Sequence, residues 1–168
     1  HLWNNETKEM LEGNESWFAA HEKLDAEPET YDRFAAKTYA PDLILEEAVD
    51  FIDAHAKEPF FLYFASTIPH LALQIPDEEL AAYPESWDTE PYLGDKGYLP
   101  HPRPRAAYAA MITRFDAEVG AIVKALKKNN IADNTIIVVT SDNGPSWVGG
   151  VDMEFFRSRG GLHGRKAQ

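Results

Sequence analysis

Thr135-Ile136-Ile137-Val138-Val139-Thr140 runs as one unbroken apolar stretch into Ser141-Asp142-Asn143-Gly144. A short apolar run without polar alternation fits a strand buried on both faces, as in a parallel sheet. Asp133-Asn134 marks the turn before it, so the reading predicts a strand over 134–140. Upstream, Phe60-Phe61-Leu62-Tyr63-Phe64-Ala65 has the same character and ends at Ser66-Thr67-Ile68-Pro69-His70. It predicts a second strand over 60–65. Between them Tyr108, Ile112, Phe115, Val119, Ile122 and Leu126 step by 4-3-4-3-4, the spacing of an amphipathic helix over about 105–128. Two strands joined through a crossover helix must run parallel, which makes the fold class α/β, a partial parallel sheet with flanking helices.

Further outward, Ile44, Ala48, Phe51 or Ile52, and His55 recur at helical spacing among acids. A helix of roughly 42–57 is expected, with Asp42 as its N-cap and Glu58-Pro59 ending it. Pro76-Asp77-Glu78-Glu79-Leu80 predicts a short helix with acids in its first turn. Residues 1–40 have no clean period and read as loops with short helical pieces. Residues 84–104 carry five prolines and two glycines, a long irregular loop of the kind that is often functional.

A chain of 168 residues, 44% hydrophobic and 12% aromatic, can bury a globular core rather than stay disordered. No apolar run approaches the roughly 20 residues of a membrane helix. Without cysteine there is no disulfide framework, thiolate metal site or Cys nucleophile. The net charge of -12 argues against nucleic-acid and anionic-membrane partners. Its distribution is uneven: the last twelve residues hold Arg157, Arg159, Arg165 and Lys166 and no acid, so the tail is +4. An acidic body with one basic segment suits a localised anion site, or an ordinary surface charge cluster.

In an open parallel sheet the ligand site lies beyond the carboxyl ends of the strands. Both expected strands deliver polar residues there, Thr67 and His70 from one, Ser141, Asp142 and Asn143 from the other. Asp142 and Asn143 offer hard oxygens suited to Ca2+ or Mg2+, with Gly144 letting the backbone turn after them. The same three residues also make an ordinary turn. His70 could hydrogen-bond an anion or act as an acid, or be a loop histidine held to backbone. Lys166 closes a glycine-rich basic segment, Gly160-Gly161-Leu162-His163-Gly164-Arg165-Lys166, able to bring backbone N–H groups and an ammonium onto an anion.

Taken together, these segments resemble the type I sulfatases of the alkaline phosphatase superfamily in order and spacing. The matching stretches are Pro59-Phe60-Phe61-Leu62-Tyr63 through Pro69-His70, Tyr108 to Ile122, Asp133 to Pro145, and Gly161 to Lys166. The resemblance covers roughly 40–168, and 1–39 more loosely. It implies an alkaline-phosphatase-like fold and sulfuric ester hydrolysis of a sulfated small molecule or glycan. It also implies a single Ca2+ or Mg2+ for which Asp142 and Asn143 are the second pair of ligands. His70 and Lys166 would hold the sulfate oxygens, with His70 assisting departure of the leaving group. A periplasmic or secreted location follows from the same resemblance.

The departures are as informative. The family nucleophile is a formylglycine made from Cys or Ser in C-x-P-S-R or S-x-P-S-R, and neither motif occurs here. The N-terminal aspartates of the metal shell, the family's other active-site Lys and His, and the C-terminal subdomain have no counterpart. His163 stands where the family commonly has Arg. Residues 1–168 are therefore expected to be a central segment of a sulfatase catalytic domain, partnered by the remainder of that domain and inactive alone. Two rival readings remain: a phosphodiesterase or phosphonate hydrolase of the same superfamily, and a non-catalytic sulfated-glycan-binding module using Trp87, Tyr92 and Trp147. Asn143 argues against the two-metal rivals, which usually place His after the strand-end Asp.

Overall fold

The computed structural model describes residues 2–14, 31, 32 and 34–167. Of residues 1–40, expected to be loops with short helical pieces, 1, 15–30 and 33 lie outside the described residues, and 2–4 and 7–9 depart from that expectation by forming strands. Two short strands, β1 (Leu2–Asn4) and β2 (Thr7–Glu9), form an antiparallel hairpin with Leu2 opposite Glu9 and Asn4 opposite Thr7. Three α-helices follow: α1 (Ala40–His55), α2 (Asp77–Leu80) and α3 (Pro104–Lys128). The chain divides into two compact units. The first takes residues 1–17, 36–68 and 112–137, the second 18–35, 69–111 and 138–168.

In the first unit, α1 and the last turns of α3 make the core. Ile52, Ala125 and Leu126 are buried together, with Val49, Phe60, Leu62, Ile122 and Ile131 packed around them. Each fully buried Ile or Leu contributes about 1.5–3 kcal/mol. Asp53 clamps the same helices from the side, accepting from Lys128 Nζ at 2.7 Å and Asn129 Nδ2 at 2.6 Å. The end of α3 is a Schellman motif: Ile131 N donates to Leu126 O at 3.0 Å and Asn130 N to Lys127 O at 3.0 Å. Asn130 takes the left-handed conformation this requires, at φ 58°.

Three sequence expectations are corrected here. Asp42 is not the N-cap of α1; the helix starts at Ala40 after Tyr39, because Pro41 needs no N–H partner in a first turn. Asp42 instead pairs with Arg114. The apolar stripe of α3 is buried only in part: Tyr108 and Leu126 are covered but Ile112 is 44% exposed, whereas Ala107, Met111 and Glu118 off the stripe are almost fully covered. Ser66 Oγ donates to the buried Glu118 Oε2 at 2.7 Å, and burial pushes the Glu118 carboxyl up from its ordinary range. The third correction is the sheet. Neither 60–65 nor 134–140 forms a strand, and among the described residues no parallel sheet exists. Phe61 and Tyr63 are 87% and 80% exposed while Phe60, Leu62 and Phe64 between them are partly covered. Ile136 and Val138 stand out similarly, at 92% and 79%. Exposure alternates along these runs as along a strand, but among the described residues no neighbouring backbone supplies a ladder.

The second unit is built mainly from loop. Residues 84–104, expected to be irregular, are irregular but tightly held. Tyr92 and His101 exchange backbone hydrogen bonds of 2.9 Å in each direction. Arg103 ties two loop carbonyls together, donating to Leu80 O at 3.2 Å and Tyr83 O at 2.9 Å. Asp88 caps α3 from sixteen positions upstream of its first residue. Its carboxylate accepts from the backbone N–H groups of Arg105 at 2.7 Å and Ala106 at 3.1 Å.

Candidate functional site

All four residues singled out from the sequence belong to the second unit. His70 follows Pro69, and its ring is fixed by two contacts. Nδ1 lies 2.6 Å from Leu71 O, and the ring meets Tyr98 edge-on at 5.9 Å. A carbonyl accepts only, so Nδ1 carries the proton and Nε2 presents its lone pair. Lys166 Nζ stands 3.1 Å from that Nε2. The structure thus brings an imidazole and an ammonium, 96 positions apart, into one exposed pair. An oxyanion placed there would meet the ammonium's remaining N–H groups.

The loop bearing Lys166 is seated on the segment that follows Asn143. Lys166 N donates to Pro145 O at 3.0 Å. Gly144 faces the Arg165 backbone so closely that a Cβ would sit 3.3 Å from its Cα. Asn143 and Ser141 are occupied locally: Asn143 Nδ2 donates to Gly144 O at 2.8 Å and Ser141 Oγ to Asn143 O at 3.0 Å. Asp142 is exposed and hydrogen-bonds to none of the other three. Its carboxylate and the Asn143 side-chain oxygen are donors of the kind a hard cation takes. They are two where about six to eight are wanted, and among the described residues no cluster of three or more His, Asp or Glu could hold a metal. The residues fit a divalent cation in kind, as part of a shell.

The sequence reading missed what supports this pair. Arg165 lies over the Trp147 ring, 4.3 Å from its centroid. Trp147 was read only as a possible sugar platform, and nothing in its spacing to Arg165 announces a stack across a loop. Tyr98, in the proline-rich loop, holds the His70 ring from the side for the same reason: contacts between loops leave no period in a sequence.

Comparison with known proteins follows the same line. The family model described as Sulfatase matches residues 1–168. The "Uncharacterized sulfatase YdeN" of Escherichia coli K12 is 35% identical over 116 residues, 67% of this chain and 18% of that protein. The human "N-acetylgalactosamine-6-sulfatase" is 30% identical over 107 residues, 63% of this chain and 17% of the relative. Among solved structures, "Ps i-CgsB in complex with k-i-k-neocarrahexaose" is 41% identical with a TM-score of 0.52, covering 66% of this chain and 22% of the other. The chain therefore spans about a fifth of the length of the relatives it matches. Because the family match runs from the first residue to the last, the chain as a whole belongs to the sulfatase family.

Proposed function

We propose that this chain is the central segment of a sulfatase catalytic domain and that the protein carrying it hydrolyses sulfuric esters. The contact between Lys166 Nζ and His70 Nε2 carries the reading, because it assembles a cationic grip from the two residues the family resemblance names. Lys166 binds a sulfate oxygen and stabilises the negative charge that builds on it. His70, its Nδ1–H held by Leu71 O, keeps Nε2 towards the same oxygens and, once protonated there, hands a proton to the departing alkoxide. Asp142 and Asn143 hold part of the shell of one Ca2+ or Mg2+, which when bound supplies Lewis-acid stabilisation of the sulfuryl group. The nucleophile, a formylglycine, comes from outside residues 1–168, and so do the remaining metal ligands.

The extended runs 60–65 and 134–140 take their places in a parallel sheet whose other strands the rest of the domain provides. That arrangement sets His70 and Asp142 at the carboxyl edge of one sheet. A sulfated glycan is the substrate class supported best, since the neighbour at 41% identity is a structure with a neocarrahexaose. In an assay with a chromogenic aryl sulfate the 168-residue chain should be silent and bind Ca2+ no better than about millimolar. The longer protein should turn the ester over and lose about 100- to 1,000-fold with Lys166→Ala. Turnover by the chain alone, or indifference of the longer protein to Lys166→Ala, would sink the reading.

A further inference from the structure

One residue before Lys166, the second unit opens a cleft of about 520 Å³ lined by Trp147, Arg165, Lys96 and Glu90 among others. Most of its charged groups are already engaged. Arg105 donates twice to Asp152, at 2.7 and 3.1 Å, and once to Trp87 O at 2.6 Å. Asp88 is taken by the start of α3, and Glu154 by Arg159 at 2.6 Å. Arg165 and Lys96 are the cleft cations that form no ion pair among the described residues. Arg165 differs from Lys96 in being held: its guanidinium carbon sits over the Trp147 ring, 4.3 Å from the centroid, and its Nε is buried without a hydrogen-bond partner.

A guanidinium stacked on an indole is oriented by the ring while its N–H edge stays available, and that edge matches the two oxygens of a carboxylate or a sulfate. A buried N–H left without an acceptor costs about 1–3 kcal/mol, so an anionic group that reaches it binds with an advantage built in beforehand. The exposed Glu90 and Lys96 add polar groups for hydroxyls around it. Arg165 and Lys166 are consecutive, with Cα atoms about 3.8 Å apart.

We propose that Arg165, pre-oriented by Trp147, is a specificity residue that grips a second acidic group of the substrate, a carboxylate or further sulfate beside the ester being cleaved. The inference rests on the sulfate-ester reading above. Arg165 acts on which ester is accepted, and Lys166 on the ester itself.

Three matched disaccharide sulfates test it on the longer protein: one with a single sulfate, one with a second sulfate on the adjoining ring, one with a carboxylate there. Wild-type protein should favour one or both twice-charged esters by kcat/KM, and which of the two tells sulfate from carboxylate. Arg165→Gln should lower that preference about 10- to 100-fold, the range of one lost charge-assisted pair, with the loss in KM. Arg165→Lys should recover part of it, and Trp147→Ala should reduce it through KM as well. A wild type with no preference, or Arg165→Gln leaving the preference intact or lowering all three esters alike, overturns the inference and leaves the sulfatase reading standing. A wild type that cleaves none of the three overturns the sulfatase reading, and the inference falls with it.

Discussion

The two apolar runs and the proline-rich loop behave oppositely to their composition. Residues 60–65 and 135–139 have the makings of strands, yet they pair with nothing among the described residues, and Phe61, Tyr63, Ile136 and Val138 are each about four-fifths exposed or more. Residues 84–104, broken by five prolines, are bound by Asp88, Tyr92, His101 and Arg103 into a firm unit. The difference lies in where the hydrogen bonds come from. A strand's ladder must be completed by another stretch of backbone, whereas a loop can be completed by its own side chains. Local sequence decides the second and only nominates the first.

The sharpest test sets core against run. Leu126→Ala should destabilise the chain by about 2–5 kcal/mol in urea unfolding, since Leu126 is 2% exposed in the α1–α3 core. Ile136→Ala removes an equally apolar side chain that is 92% exposed and should move stability by no more than about 0.5 kcal/mol. Equal effects would mean that the 135–139 run is packed after all.

The loop can be probed through pH. Burial holds His101 down to about 4 from an ordinary 6.5, and its Nδ1 accepts a hydrogen bond from Arg103 N at 3.0 Å, which suits the neutral ring. The unfolded chain then binds the proton more readily than the folded one. Stability from this group is complete above about 6.5, declines as pH falls towards about 4, and is constant below. The loss amounts to roughly 3 kcal/mol at most. His101→Asn, which keeps an acceptor for Arg103 N, should remove that part of the acid sensitivity. An unchanged stability–pH curve would show that the loop does not depend on a neutral His101.

The smallest effect on stability, near zero, is expected of Ile136→Lys combined with Val138→Lys, because both positions already face solvent. Their effect should appear instead in association. Unpaired apolar runs seek partners, so sedimentation of the wild-type chain should grow heavier with concentration and that of the variant should not. A wild type that stays monomeric at every concentration would break the comparison.

Helices were legible because their period lies within one segment. The spacings at 42–57 and 105–128 became Ala40–His55 and Pro104–Lys128, and Pro76 to Leu80 became Asp77–Leu80. Which face of α3 is buried was legible only in part: Tyr108 and Leu126 of the stripe are covered, but so are Ala107, Met111 and Glu118, chosen by what packs on them. The β1–β2 hairpin escaped notice for want of length, although Asn5 at φ 53° in a two-residue loop is a turn position that asparagine tolerates. At the site, His70 and Lys166, named through the resemblance, meet across 96 positions, while Trp147 under Arg165 and Tyr98 beside His70 are contacts between distant loops that no spacing encodes.

Gly144 ties the inheritance of two loops together. Nothing in its own backbone angles demands glycine; the demand comes from the Arg165 main chain, 3.3 Å from where a Cβ would be. Main chain gives less readily than a side chain, so a Cβ at 144 asks the strip that carries Arg165 and Lys166 to shift by a few tenths of an ångström. Changes at 144 and at 164–166 are therefore coupled. A relative bearing alanine at 144 should carry a rerouted or resized glycine-rich tail, and a family alignment deep enough to show such pairs would record this contact as covariation.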